Sequence, residues 1–203
     1  MLSIQVYATD SDSLEGIFHE DGSYQFGEEE LARLNEFLRN NKLEKANSLS
    51  VADVVAFASP GSYDLLSQEQ KNALANELWY ESVASAYPET RNLTYDTTIS
   101  AYGNSVKGYA FISRPSADWL TAICAVAEYP NQEEYVGYSY NIAEPENDGG
   151  KVSFCSATVV IDPPSGTYWA IGQFAIPYLV GTVEHINTVR RVSDTMSYVN
   201  PYN

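Results

Sequence analysis

Histidine is almost missing from this sequence: His19 and His185 are the only two in 203 residues. A catalytic zinc site takes three protein ligands and a structural one takes four. Neither histidine stands in an HExxH pattern, and His19-Glu20-Asp21 reads as a solvated turn before Gly22. Cysteine is equally scarce, with Cys124 and Cys155 alone, too few for a thiolate zinc cluster. Two states are open to them. A Cys124–Cys155 disulfide would close a loop of about 30 residues, worth roughly 3 kcal/mol by loop entropy; alternatively, both are buried thiols packed as small hydrophobes. Bases are few, 11 against 27 acids, for a net charge of −16. Before Thr90 there are 16 acids and 5 bases, and from there on 11 and 6, so the acidity is concentrated in the first part. Such a charge repels phosphate, and Arg190-Arg191 is the only adjacent basic pair. Direct nucleic-acid binding and attraction to anionic membrane surfaces are therefore not expected. No apolar run approaches the roughly 18–20 residues that span a bilayer, so membrane insertion is not expected either. The start, MLSIQVYATD, lacks the basic end and long apolar stretch of a signal peptide. That leaves an intracellular protein or a mature secreted chain with an added starting Met. Low Lys and abundant Ser, Asn and Tyr lean towards an extracellular or virion surface over the cytoplasm.

Motifs for catalysis are lacking too. No serine stands in a Gly-x-Ser-x-Gly elbow. Gly103-Asn104-Ser105-Val106-Lys107-Gly108 lacks the Gly-Lys-Ser/Thr ending of a phosphate loop and reads as a hairpin turn. The acidic stretches Asp10/Asp12/Glu15 and Glu144/Glu146/Asp148 do not follow the EF-hand order and read as solvated loops. Cys124 sits in an apolar run, where burial raises the thiol pKa and makes a Cys124/His185 nucleophile pair inert. No cofactor is expected.

What is present is a clear change of texture at Pro88. Leu2–Ala8 alternates apolar and polar residues, the period of a half-buried strand. A helix is predicted over 28–40, with Glu28-Glu29-Glu30 at the positive end of its dipole and Leu31, Leu34, Phe37 and Leu38 on one face. A second starts at Ser50, with Asp53 three residues on and Pro60-Gly61 as its stop. A third starts at Ser67, whose Gln70 completes a capping box, and ends at Pro88. Beyond it, 93–113 reads as a hairpin turning on Gly103-Asn104-Ser105. Residues 116–129 fit a helix or a buried strand, with a slight preference for strand from their neighbours. Extended runs follow at 135–142, 152–161, 167–176 and 182–192. Val152–Ile161 is apolar on both faces, as a central strand would be, and Pro177 is expected to interrupt the next run. The predicted fold is a single α+β domain over 1–203: a strand at 1–8, a helical zone at 9–89, a β-rich zone at 90–192 forming an antiparallel sandwich or barrel, and an extended tail at 193–203.

The chain has 16 tyrosines. Tyr and Trp supply rigid, amphipathic contact area and are enriched at protein interfaces. Tyr138 and Tyr140 fall on a face expected to be core. Tyr135 and Tyr168 are expected towards solvent, and with Trp169, Tyr198 and Tyr202 they form the candidate binding residues. The implied role is a non-catalytic recognition or assembly module, of surface, adhesin-like or virion type, acting on a protein partner or by self-association. Two alternatives stand beside it. One is an acidic inhibitor or decoy that binds a nucleic-acid-binding protein. The other is a hydrolase using scattered carboxylates or Cys124/His185.

Overall fold

The structure is a computed structural model. It describes residues 16–41, 49–77, 93–131, 134–145, 150–180 and 183–202, without the side chains of 178–180 and 183–187. The predicted strand at Leu2–Ala8 lies outside these residues, as do Leu78, Trp79, Val83, Ala86 and Pro88 of the predicted third helix.

The chain opens with a short hairpin, β1 (Ile17–Phe18) and β2 (Tyr24–Gln25), and then a helical layer: α1 (Glu28–Asn40), α2 (Val51–Ala58), α3 (Pro60–Asp64) and α4 (Gln68–Asn76). The starts follow the sequence closely. Gly27 N donates to the Glu30 carboxylate at 2.9 Å. Ser50 and Asp53 exchange the two bonds of a capping box, as do Ser67 and Gln70. α2 ends at Ala58, just ahead of Pro60-Gly61 as predicted, and Pro60 then opens a separate short helix as the first residue of α3, a position where a missing N–H costs nothing.

Among the described residues all later elements are strands: β3 (Thr94–Tyr102), β4 (Ser105–Ala117), β5 (Leu120–Glu128), β6 (Gly137–Ala143), β7 (Val152–Ile161), β8 (Gly166–Val180), β9 (Val183–Val192) and β10 (Met196–Tyr198). They form two antiparallel sheets. The larger runs β1-β2-β6-β5-β8, with β9 and β10 both against the far edge of β8; the smaller runs β3-β4-β7. The predicted α+β sandwich is what the structure contains, in three layers: helices, large sheet, small sheet.

The large sheet is thus buried on both faces. Along β5, Ile123, Ala125 and Ala127 pack with the helices, while Leu120, Ala122, Cys124 and Val126 pack against the small sheet. This double cover explains why the period of 120–128 could not separate helix from strand. It is a strand.

Two expectations are corrected. β7 is an edge strand, not a central one; its second face is covered by the β1–β2 hairpin, whose Asp21 accepts from Ser156 and Thr158. Pro177 does not interrupt β8. Its carbonyl accepts from Arg114 at 2.7 Å, on the side that β5 vacates beyond Ala175, so no ladder donor is lost. Within the tail, β10 adds to the large sheet, pairing Met196–Tyr198 with Tyr168–Gly166.

The two sheets approach closely at Gly172, where an added Cβ would lie 2.0 Å from Thr97 Oγ1 and 3.2 Å from Ala110 Cβ. Gly172→Ala is expected to cost about 1–3 kcal/mol by overpacking. A second change, Thr97→Ala, should recover part of the loss, read by urea denaturation of the single and double variants.

Candidate functional site

The feature that stands out is the outer face of the small sheet. β3 and β4 are joined by a tight turn in which Gly103 takes φ +59°, a conformation glycine adopts without penalty. The turn fixes the register, with Tyr102 opposite Ser105 and Ile99 opposite Gly108. Alternation then sends Val106, Ala110 and Ile112 inward, where all three are fully buried. Lys107, Tyr109, Phe111 and Ser113 go outward.

The outward rings form a continuous stripe. Tyr109 and Phe111 stack at 6.0 Å between centroids, and Phe111 and Phe154 stack at 6.1 Å. Lys107 Nζ lies 5.5 Å from the Tyr102 ring and 5.6 Å from the Tyr109 ring, bridging the two as a shared cation–π contact. Tyr102 is 59% exposed and Phe154 is 49% exposed. Among the outward residues of β3, β4 and β7, only Asp96 and Lys107 carry charge, one of each sign. The Asp96 carboxylate lies 3.6 Å from Arg191. In a chain of net charge −16 this is a nearly neutral aromatic surface, the composition of an interface core rather than of a solvated face.

Most of the predicted binding residues lie elsewhere. Tyr135 and Tyr168, expected towards solvent, are buried. Asn35 on α1 clamps the Tyr135 backbone at 2.7 and 2.9 Å, and the Tyr168 hydroxyl donates to Pro164 O at 2.8 Å. Trp169 is half-buried, donating to Asn131 O and meeting the Tyr129 ring edge-on at 5.0 Å. Tyr198 is buried and donates to Asn104 O. Of the five, only Tyr202 presents a largely free ring, at 77% exposure. Its hydroxyl accepts from Asn104 in the same turn that carries Tyr102. The reason is topological: Tyr135, Tyr168 and Trp169 belong to the large sheet or its approach, and that sheet has cover on both faces.

The cysteines are both free and buried, so no disulfide forms. They lie in opposite sheets, within the core between them. Burial pushes the Cys155 thiol up to about 12 and Cys124 higher still, which keeps Cys124 from serving as a nucleophile. The side chain of His185 lies outside the described residues. Among the described residues no group of three metal-ligating side chains gathers.

His19-Glu20-Asp21 is a turn, but Asp21 is more than solvated. It is a half-buried hub. One oxygen accepts from the Ser23 amide and hydroxyl, the other from Ser156 and Thr158 at 3.0 and 2.8 Å. Desolvation raises its pKa, and these four hydrogen bonds together outweigh it, leaving the carboxyl below its usual range.

Two further polar clusters sit on the helix side. Glu30, buried, accepts from Tyr24 at 2.9 and 3.1 Å and from Ser59, which contacts Ser62; Tyr140 donates to Ser62 at 3.2 Å. This chain ties α1, α3, β2 and β6 together beside a cleft of about 210 Å³ lined by Phe18, Leu65, Gln70 and Asn141. Burial and the Glu30 carboxylate hold the Tyr24 phenol up at about 12. Glu77, at the end of α4, is fully buried. Its carboxylate accepts from two neutral donors, Thr121 Oγ1 at 2.7 Å and Gln173 Nε2 at 3.1 Å. Desolvation pushes it up to about 7 against those two bonds.

Compared with known proteins, the chain matches no family model and no curated sequence.

Proposed function

We propose that this protein is a non-catalytic recognition module that binds a protein partner through the outer face of its small sheet. The observation that carries this reading is the Tyr102–Lys107–Tyr109–Phe111–Phe154 stripe: stacked rings, half of them open to solvent, on a rigid sheet and almost free of net charge. A contiguous exposed apolar patch of this kind is a feature of interaction sites. Rigid aromatic rings lose little conformational entropy on docking, and rings at the centre of an interface supply most of its binding energy. The negative net charge favours a protein partner over a nucleic acid, whose phosphates it repels.

Panning a displayed peptide library on the protein tests this. Enriched peptides should bind the native chain and lose at least about 30-fold in affinity on Phe111→Ser with Phe154→Ser, the scale of hot-spot truncation. Both side chains face outward, so thermal unfolding of the double variant should stay within a few degrees of the parent. Peptides that bind both proteins equally would sink the reading.

A further inference from the structure

The small sheet has two edges, and they are treated in opposite ways. The β7 edge is plugged by side chains. Gln25 donates to Val160 O at 2.8 Å and accepts from Val160 N at 2.7 Å, Ser23 Oγ accepts from Thr158 N at 3.1 Å, and Asn141 donates to Ser156 O at 2.7 Å. These bonds also fix the pattern of the whole sheet. Ser156, Thr158 and Val160 turn their backbone groups away from β4, so Cys155, Ala157 and Val159 turn theirs towards it. Carried through the register, this alternation points the N–H and C=O groups of Tyr95, Thr97, Ile99 and Ala101 out of the free edge of β3.

That edge is open among the described residues. Only Thr97 N has a partner there, its neighbour's Asp96 carboxylate at 2.8 Å. A groove of about 260 Å³, lined by Asp96–Ile99 and Arg191–Thr195, runs beside it. β3 is nine residues long and contains no Pro, Lys or Gly, the devices that normally blunt an edge against pairing.

We infer that β3 is a self-assembly edge, pairing antiparallel with β3 of a second copy about a two-fold axis at Thr98. The register supports that occupant. With Thr98 on the axis, Tyr95 faces Ala101 of the other copy and Thr97 faces Ile99, so outward backbone groups meet outward backbone groups. Asp96, the only charge on the strand, falls opposite Ser100, so no like charges meet. Thr97 N exchanges Asp96 for a strand partner, and Asp96 keeps Arg191. The two small sheets become one continuous six-stranded sheet of isologous symmetry. A strand edge buries less than the ~800 Å² per partner of a standard interface, so the dimer is concentration-dependent. Because each copy carries −16, it strengthens as salt screens the repulsion. The inference uses the rim of the sheet, not its aromatic face, so either can fail without the other.

The test combines sedimentation with cross-linking. Thr98 is exposed, so changes there leave the fold intact. The native chain should show a monomer–dimer equilibrium. Thr98→Glu and Thr98→Lys should each weaken it by about tenfold or more through like charges across the axis, and mixing the two variants should restore pairing. Under a mild oxidant, Thr98→Cys should give a covalent dimer, because directly opposed non-hydrogen-bonded residues lie within disulfide reach. Ser100→Cys, which would face Asp96, should not. A dimer of Phe111→Ser with Phe154→Ser should survive. A chain that is monomeric at every concentration and salt, or equal cross-linking by both cysteine variants, would overturn the proposal.

Discussion

Glu77→Gln is expected to stabilise the protein by about 3 kcal/mol at pH 8 while changing it little at pH 5. In the folded chain Glu77 is enclosed, with Thr121 and Gln173 as its donors, and its pKa stands at about 7 against an ordinary 4.5. Between those values the folded state keeps the proton and the unfolded state has lost it. Stability is therefore fully present below about pH 4.5 and falls as pH rises through about 7. A gap of this size corresponds to roughly 3 kcal/mol. Glutamine carries no charge to desolvate, so the fall between pH 5 and pH 8 should vanish in the variant. Urea unfolding at the two pH values reads the difference. Parallel losses in both proteins would place the pH dependence elsewhere.

Asp21→Ala is expected to cost about 2–4 kcal/mol, the range for breaking a partly buried hydrogen-bond network. It removes the acceptor of Ser156 and Thr158 and of both Ser23 donors. With the turn released, Ser23 and Gln25 no longer hold the β7 edge. The Thr158 and Val160 amides, which donate to them, should then lose hydrogen-exchange protection before the rest of the sheet. The pH trend is opposite to that of Glu77. The Asp21 pKa is lowered, so its contribution is present above about pH 4, the ordinary value for the side chain, and is lost as pH falls through the lower folded value. If the β7 amides stay protected in the variant, the hairpin is held by other contacts.

These two carboxylates show where sequence reasoning reached and where it stopped. The helix starts at Ser50 and Ser67 were legible because capping is local: the cap and its partner lie three residues apart. The hairpin predicted over 93–113 was legible for the same reason, from Gly103-Asn104-Ser105 and a period of two; its second strand runs on to Ala117. Asp21 and Glu77 were not. Apart from Ser23, two residues from Asp21, their partners lie 44 to 137 residues away in the chain, and the contacts that make these two acids structural are not written in their neighbourhood.

The outward aromatic face of the small sheet was hidden by a specific ambiguity. Around Val106–Ser113 both alternating sets are apolar, Val106, Ala110 and Ile112 on one side and Tyr109 and Phe111 on the other. The larger rings look like core, yet the small residues face inward because the sheets approach closely, as Gly108 shows: an added Cβ there would lie 2.6 Å from Val126. Small residues on one face of a strand and rings on the other were the available signal. The tyrosines of 135–169 attracted attention by number, but three layers cover most of them. The edge status of β7 escaped for a related reason: burial on both faces came from a hairpin more than a hundred residues earlier.

The most direct test of the proposed recognition surface is an isotope-labelled titration with a peptide taken from the library selection. Resonances of Tyr102, Tyr109, Phe111 and Phe154 should shift together and saturate, while those of Phe18, Leu65 and Gln70 in the cleft beside α3 stay in place. Shifts confined to the cleft, with the stripe unmoved, would contradict the account.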